Sequence, residues 1–317
     1  MLGFIIRRTL VLIPTLLVTT MIIFGMMQLM PGDPTDIFIS PNVTMTEQER
    51  QNLLERYGLD EPLHIQYVTW LTNFFQGDMG RSFNYGQPVW EVIKVRIGPT
   101  ALLAGTSLLL ALVVSIVFGT ISAVRQYTML DNVVTGASFF GVSLPDFWFG
   151  LILIFIFPVS FGVLPSGNMT SVEGGGVVDV LRHMILPVIV LSTAQTAILT
   201  RYMRSSVLEV LHEEFVSSAR AKGLSEWVVI VKHVMRNSMM TIVTIIGLSL
   251  PFFVSGSLIV EQVFSWPGLG QFFWRSVTQR DYPVIMAVLT MTSFLTLLGN
   301  FLADLAYGFL DPRIQYD

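Results

Sequence analysis

Three acidic residues stand where a membrane-embedded protein could use them for chemistry. Asp146 and Asp304 lie inside long apolar runs, and Glu261 follows another such run. An ionisable side chain at membrane depth is costly, so it usually faces a cavity, a partner or a substrate pathway. Acidic residues at such places could relay protons or bind cations, as they do in secondary transporters. The chain therefore carries a small set of candidates for ion-coupled transport.

The sequence lacks the residue patterns of enzyme sites. It contains no cysteine, which excludes disulfides, thiolate metal sites and cysteine nucleophiles. The four histidines are scattered without HExxH or zinc-ligand spacing, and no Ser/His/Asp cluster is indicated. There is no Walker A phosphate-binding loop, and Gly268-Leu269-Gly270 lacks the third glycine and the preceding strand of a dinucleotide fingerprint. We therefore expect no catalytic residue, cofactor or metal in this chain.

Composition predicts that membrane-spanning helices position these residues. Hydrophobic residues make up 52% and charged residues 13% of the 317 residues, whereas soluble domains carry about 25% charged residues. Six apolar runs have the length of about 20 residues that a spanning helix needs. They are Thr9 to Met30, Ile97 to Val124, Asn132 to about Phe157, Met184 to Thr200, Ser238 to Val260 and Tyr282 to Ala303. The sequence predicts an all-α integral membrane protein with six transmembrane helices.

The distribution of Lys and Arg predicts the orientation of these spans. Arg7 and Arg8 precede the first run, which has no small-residue cleavage site and is therefore predicted to be a retained span rather than a signal peptide. With the N-terminus inside, Arg125, the cation-rich segment 201–237 and Arg313 all fall on the cytoplasmic side, as the positive-inside rule requires. We expect a multi-pass protein of the cell membrane with both termini in the cytoplasm.

This topology divides the chain into three regions. Residues 1–30 form the cytoplasmic N-terminus and the first transmembrane helix, and residues 31–96 form an external subdomain. Residues 97–317 form a five-helix core that contains the cytoplasmic loop 201–237.

Two helices are predicted in the external subdomain. Thr46 to Glu49 fit a capping box, and Gly58 ends the helix that follows it. Pro62 fits the first position of a second helix that ends near Gly77. Its apolar side could rest on the spans or at the bilayer interface, and consists of Tyr67, Trp70, Leu71, Phe74 and Phe75. We interpret this region as a cap in which most residues make no contact with a ligand.

The segment from Arg201 to Asn237 is the most informative part of the chain, because it places six cations between two apolar runs. Its first half has apolar residues at helical spacing, namely Val207, Leu211, Phe215 and Ala219. Gly223 is predicted to stop this helix and Ser225 to cap a second one. One side of the second helix is apolar and carries Trp227, Ile230, Val231 and Val234. The two helices and the turn between them would form a protruding knob that could bind a soluble partner. The alternative is an ordinary amphipathic surface helix between two spans.

Asp146 lies in the phrase Ser-Leu-Pro-Asp-Phe-Trp within the third apolar run. One hypothesis places it beside a translocation path. The other places it at a helix start, capped by backbone N–H groups, with the span beginning at Leu144. Gln195 is expected to hydrogen-bond to a neighbouring helix and is a second candidate for the path.

The stretch from Val260 to Gly270 follows the fifth apolar run. Pro267 and the glycines around it would let the backbone fold back towards a pore without regular hydrogen bonds. Such backbone is tolerated only where protein or a water-filled cavity surrounds it. The alternative is a plain external turn with Trp266 and Trp274 at the membrane interface.

The residue strings in these segments resemble those of one protein family. The string EFVSSARAKGLSEWVVIVKHVMRN resembles the cytoplasmic coupling loop of ABC importer permeases, in the branch of dipeptide, oligopeptide and nickel permeases. In that family the loop docks into a groove of an ATPase subunit, which implies docking residues Glu213, Glu214, Phe215, Ser218, Ala219, Arg220, Ala221, Lys222, Gly223 and Leu224. The stretch 260–270 resembles the family's external gate loop, which implies gate residues Glu261, Phe264, Trp266, Pro267, Gly268, Leu269 and Gly270. The resemblance covers nearly the whole chain, and it includes the phrases around residues 30–34, 57–62, 77–82, 143–148 and 310–313.

The resemblance implies a type I ABC importer permease fold with an external subdomain between helices 1 and 2. It implies a transport subunit without its own ATPase site, which moves di- or oligopeptides delivered by an extracytoplasmic solute-binding protein. A second homologous permease would complete the pore as a heterodimer in the lipid bilayer, and two ABC ATPase subunits would bind ATP and Mg. No nucleic acid is expected as a partner. The alternatives are nickel chelates or glutathione as cargo, or a secondary transporter, which would leave the segment 201–237 unexplained.

Overall fold

The computed structural model describes residues 2–29, 48, 51–52, 55, 60–255 and 257–310. This part of the chain consists of helices joined by loops, and its only β-type pairing is an isolated bridge between Arg81 and Pro88. The helices are α1 (Leu2–Gln28), α2 (Leu63–Phe75), α3 (Val89–Val124), α4 (Met129–Ser143), α5 (Asp146–Ile154), α6 (Val177–Leu211), α7 (Glu214–Ala221), α8 (Glu226–Val228), α9 (Met235–Ser255), α10 (Ser257–Val263), α11 (Leu269–Thr278) and α12 (Tyr282–Leu310). Two π-helical segments, Phe155–Phe161 and Val229–Val234, follow α5 and α8. The predicted all-α fold class is confirmed.

Four described helices, α1, α3, α6 and α12, are long and apolar enough to cross a membrane, and α4 with α5 makes a fifth if the pair is one span. The predicted third span from Asn132 to Phe157 is wrong as a continuous helix, because α4 and α5 meet at an angle of 102°. Pro145 causes the break, since it has no N–H and restricts Leu144 to an extended backbone (φ −82°, ψ 123°). The predicted fifth span falls on α9 and α10.

Small residues let the central helices approach closely. A Cβ atom on Gly119 of α3 would lie 2.7 Å from Cβ of Met203 in α6, so only glycine fits there. A Cβ atom on Gly141 of α4 would lie 3.3 Å from Cβ of Ala197 in α6. Membrane helices pack in this way because van der Waals contact, rather than exclusion of water, drives their association. The long helix α6 therefore packs closely against both α3 and α4.

The region between α1 and α3 rests on α1. Helix α2 starts after Pro62, one position later than predicted, and Gly77 (φ +89°) follows its end as expected. Tyr67 shares a hydrogen bond of 2.9 Å with Thr20 of α1 and makes an edge contact with Phe24. The apolar side of α2 therefore packs on a span. The predicted capping box, Gly58, most of the phrases at 30–34, 57–62 and 310–313, and the side chain of Asp304 lie outside the described residues.

A buried carboxylate connects the segment before α3 to α12. Asp281, immediately before α12, accepts hydrogen bonds from the backbone N–H groups of Phe83 (3.1 Å) and Asn84 (3.3 Å) and from the Ser82 hydroxyl. Helix α3 begins at Val89, earlier than the predicted span start at Ile97. The turn before α3 is therefore fixed to α12 by one residue that the sequence did not single out.

Candidate coupling and gating sites

The cation-rich segment forms a short helical hairpin at the end of α6, here called the docking hairpin (residues 212–234). The predicted continuous helix through Leu211 and Phe215 is wrong. Helix α6 ends at Leu211, Glu213 adopts an extended backbone (φ −70°, ψ 145°), and α7 begins at Glu214. The break changes which residues face inward, because it resets the helical phase. Val216, rather than Phe215, becomes the buried residue.

Gly223 ends α7 as predicted. It has φ +79°, a conformation that L side chains rarely adopt. Its N–H donates to the carbonyl of Arg220 (2.9 Å), and the N–H of Leu224 donates to the carbonyl of Ala219 (3.4 Å). These two bonds form a Schellman motif, which satisfies carbonyl groups that the helix end would leave unpaired. Ser225 then starts α8, although its side chain makes no capping hydrogen bond.

The inner side of the docking hairpin packs on the body of the protein. Val216 and Ala219 of α7 belong to a buried cluster with Met203 and Val207 of α6, and with Val229 and Val234 of the π-helical segment. The predicted docking residue Ala219 is only 6% exposed. It therefore faces the subunit's own base and cannot touch a partner in this conformation.

The outer side carries an exposed apolar patch, here called the docking face: Phe215, Leu224 and Trp227, which are 41%, 41% and 74% exposed. The other predicted docking residues are exposed beside it, namely Glu213, Glu214, Ser218, Arg220, Ala221, Lys222 and Gly223. Arg220 and Glu226 form an ion pair of 2.8 Å across the Gly223 turn. The prediction that Trp227 shares a side with Val234 is wrong, since Val234 is buried and Trp227 projects outward.

The predicted gate loop (residues 260–270) is organised around a buried carboxylate. Glu261 is fully buried and accepts hydrogen bonds from the Thr100 hydroxyl (2.7 Å) and from the N–H groups of Gly270 (2.7 Å) and Gln271 (3.0 Å). The last two groups belong to the first turn of α11, where the helix dipole favours a negative charge. Glu261 thus joins α10, α11 and α3.

The aromatic residues of the gate loop lie inside the protein. Trp266 is fully buried and donates from Nε1 to the carbonyl of Pro99 in α3 (2.9 Å). Phe264 packs against Gly150 of α5, and its carbonyl accepts from the N–H of Asn168 (2.8 Å). The backbone at 264–268 is therefore irregular, with Phe264, Trp266 and Gly268 buried and Ser265 exposed.

Two glycines of the gate loop have no room for a side chain. A Cβ atom on Gly268 would lie 2.4 Å from the Glu261 carboxylate, and one on Gly270 would lie 2.5 Å from Cα of Leu258. Leu269 lies between them, and its N–H donates to the Thr100 hydroxyl (2.8 Å). The glycines therefore serve a close approach of backbone to the buried carboxylate.

The two candidates for a translocation path have different environments. Asp146 lies in the first turn of α5, just after the bend, and is half-buried. This is the helix-start position of the second hypothesis, but no backbone N–H group caps the side chain as that hypothesis requires. Gln195 is buried within α6. In the described part of the chain, no group of three His, Asp or Glu side chains could hold a metal ion.

One polar contact joins residues that sequence analysis did not connect. Asp131 of α4 is buried, and Arg204 of α6 donates to both of its carboxylate oxygens, from Nε (2.7 Å) and Nη2 (2.9 Å). Arg204 was assigned to a cytoplasmic loop, but it lies within the long helix α6. In the sequence, each of the two residues is only an isolated charge near the end of an apolar run. They are 73 positions apart, so no local pattern predicts that they pair.

Comparison with known proteins gives full-length matches. A family model described as "Binding-protein-dependent transport system inner membrane component" matches residues 115–316, and the N-terminal model of the same systems matches residues 1–104. The chain is 45% identical to an oligopeptide transport system permease protein of Bacillus subtilis, with both chains covered completely. It is 36% identical to the dipeptide transport system permease protein of Escherichia coli, covering 100% of this chain and 99% of the relative. It is 38% identical to a glutathione transport system permease protein of Salmonella choleraesuis, with complete coverage of both.

Proposed function

The chain belongs to the family of binding-protein-dependent transport system inner membrane components, and from this membership we propose that it is the membrane-spanning subunit of an ATP-driven ABC importer for di- or oligopeptides. It is a multi-pass membrane protein of all-helical fold. The observation that carries the proposal is the 45% identity over the complete length to an oligopeptide permease. The exposed docking face supports it, because a subunit moved by an ATPase needs a surface that the ATPase can hold.

The docking face is the proposed contact with the ATPase. Phe215, Leu224 and Trp227 project from a hairpin whose inner side is packed on α6, so a force on the hairpin passes to the long helix. Interface hot spots are enriched in exposed Trp that becomes buried on binding. The chain has no phosphate-binding loop of its own, so two partner ATPase subunits would bind ATP and Mg. The hairpin and both termini would then lie in the cytoplasm, as the positive-inside rule predicts.

The gate loop is the proposed external closure of the path. Glu261 and Trp266 hold it against α3 and α11 in the conformation described here. A second homologous permease would supply the other half of the pore, and a solute-binding protein would deliver peptide from outside. ATP-driven closure of the ATPases would move the docking hairpins and open the path outward. Release of the hydrolysis products would return it inward.

Glutathione is a second candidate cargo, because one relative of this chain is a glutathione permease at 38% identity over its full length. Glutathione is itself a small peptide with a free carboxylate and a free amine, so the same path could accept it. Nickel chelates, the other cargo that the family resemblance implies, are a third candidate. A secondary transporter is disfavoured, since it would have no use for the docking face.

Uptake in a defined system tests the proposal. The chain is coexpressed with the second permease and the ATPases of its own transport system, reconstituted in proteoliposomes, and supplied with the solute-binding protein. We expect ATP-dependent uptake of labelled dipeptides or oligopeptides, and we expect no ATP hydrolysis by the purified chain alone. Uptake that follows an ion gradient without ATP would contradict the proposal. Competition by glutathione or by a nickel chelate at equal concentration would identify the preferred cargo.

A further inference from the structure

The Asp131–Arg204 ion pair, here called the coupling pair, fixes α4 to α6 in both distance and orientation. Arg204 binds the carboxylate through two parallel N–H bonds, and such bidentate pairs are geometrically specific. The same carboxylate accepts from the Ser122 hydroxyl at the end of α3 and from the N–H of Tyr127 (2.9 Å), a residue with φ +63°. Asp131 is only 3% exposed. Helix α4 therefore cannot slide or turn at this end without unpairing a buried charge.

The coupling pair lies in the same turns of α6 that hold the docking hairpin. Met203 and Val207, on either side of Arg204 along the helix, are fully buried and pack in one cluster with Val216 and Ala219 of α7. A displacement of the hairpin thus acts on the stretch of α6 that carries Arg204. The guanidinium passes that displacement to Asp131 and hence to α4.

The far end of α4 leads to the gate loop. Gly141 packs against Ala197 and Thr193 of α6, and α4 then bends by 102° into α5. In α5, Gly150 is so close to the gate loop that a Cβ atom there would lie 3.2 Å from the side chains of Phe264 and Val263. The broken span is therefore in physical contact with the docking hairpin, through α6, at one end and with the gate loop at the other.

We propose that Asp131 and Arg204 are positioning residues for transport: the coupling pair makes α4 move with α6 and the docking hairpin as one body, and thereby carries hairpin motion to α5 and the gate loop. The inference rests on the proposed function. It assigns a role to a polar contact that lies outside both the docking face and the gate loop.

A disulfide across α4 and α6 tests whether the two helices move together. The native chain has no cysteine, and the double variant Gly141→Cys/Ala197→Cys places two Cβ atoms about as close as a disulfide requires. In the complete reconstituted complex, mild oxidation should leave ATP-driven peptide uptake unchanged, with the single variants as controls. Loss of uptake on oxidation, recovered on reduction, would show that α4 slides along α6 and would overturn the inference.

Asp131→Asn tests the pair itself, because it keeps the side-chain shape and removes the charge. We expect ATP hydrolysis to continue while uptake per ATP falls by about five-fold or more, the low end of typical coupling between sites. Adding the oxidised Gly141→Cys/Ala197→Cys disulfide to that background should restore uptake per ATP, which a purely structural role would not predict. Glu91→Gln, which removes an exposed ion pair with Lys94, is the matched control and should behave as wild type.

The outcomes separate the inference from the proposed function. A wild-type complex with no ATP-driven peptide uptake would overturn both. A transporting wild-type complex together with unchanged uptake per ATP in assembled Asp131→Asn would overturn the coupling role alone. If Asp131→Asn fails to assemble, Arg204→Lys takes its place, because it keeps the charge and loses the planar two-donor fork. Unchanged uptake per ATP in that variant would overturn the coupling role.

Discussion

At the scale of single residues, the hydrogen-bond donors around Glu261 decide its role. An acidic residue next to a span could bind or relay a cation, but this carboxylate receives two backbone N–H groups and one hydroxyl. Carboxylates with such partners are structural connectors, because their charge is satisfied by fixed donors. Asp146 lies in the first turn of α5, but no such donors satisfy its carboxylate. The ion-coupled alternative therefore loses Glu261 to ordinary helix-end chemistry, and Asp146 stays a candidate.

The glycines next to Glu261 provide a test at this scale. We expect Gly270→Ala to lower the free energy of unfolding by about 1–3 kcal/mol, the usual cost of overpacking, because its Cβ would meet the backbone of Leu258 at 2.5 Å. Gly98→Ala is the control, since no atom lies within 4 Å of a Cβ there. Thermal unfolding of the purified chain in detergent measures both. Equal midpoints for the two variants would contradict the packing described around Glu261.

At the scale of elements, the docking hairpin depends on two departures from regular helix. The extended residue Glu213 and the π-helical segment Val229–Val234 each shift the helical phase. Because π-helical turns contain more residues per turn than α-helical ones, a residue predicted to face inward can be carried outward. Trp227 is exposed for this reason, and Val229 and Val234 are buried. The two departures thus decide which side chains a partner can reach.

Two alanines of α7 distinguish packing from docking. Ala219→Glu should destabilise the protein by about 3–5 kcal/mol, because it buries an unpaired charge against α6. Ala221→Glu, at an exposed position of the same helix, should leave stability unchanged and weaken copurification with the ATPase. Thermal unfolding of the two variants measures their stability, and copurification measures their binding to the ATPase. Reduced stability in Ala221→Glu, or normal stability in Ala219→Glu, would reverse the assignment of the two sides.

The exposed tryptophan supplies a second test of the docking face. We expect Trp227→Ala to weaken ATPase binding by about 2 kcal/mol, roughly 30-fold, as loss of an interface hot spot does. Stability should be unaffected, because Trp227 is 74% exposed. Trp90→Ala, at an exposed position near the start of α3, is the control and should bind the ATPase normally. Equal ATPase affinity in the two variants would remove Trp227 from the interface.

At the scale of the whole molecule, the helices form one connected structure rather than separate spans. Helix α6 touches the docking hairpin at one end and lies with α3 and α5 in the cluster around Phe264 and Trp266 at the other. Cores and interfaces of this density switch between discrete arrangements and do not deform gradually. A closed gate loop and an open one are therefore expected as two states of the same bundle.

Cysteine labelling tests that expectation without background reactivity. Phe264→Cys should resist a membrane-impermeant thiol reagent in the resting complex, because the position is 1% exposed. It should react from outside once the ATPases are trapped with ATP. Val172→Cys, at a fully exposed position of the loop between α5 and α6, is the control and should react in both states. Identical labelling of residue 264 in both states would mean that the loop is a static external turn.

The sequence by itself determined the class of protein, its helical content and the position of its signature segments, because these depend on composition, on run length and on local residue order. Gly223 as a helix stop and Pro62 as a helix start were predictable for the same reason: a turn or a cap is fixed by a few neighbouring residues. The family resemblance located the docking hairpin and the gate loop, but it could not orient their side chains.

Only the tertiary structure decided which faces are buried and which distant charges meet. The break at Glu213 and the π-helical turn change the helical phase, and the spacing of apolar residues in the sequence does not reveal either change. The bend at Pro145 divides a run that hydropathy treats as one span. Asp131 pairs with Arg204, and Asp281 accepts hydrogen bonds from Ser82 and Asn84. The partners are 73 to 199 residues apart in the sequence. Such contacts depend on how helices cross, and crossing is set by the shapes of small residues at many points along them, of which Gly119 and Gly141 are two.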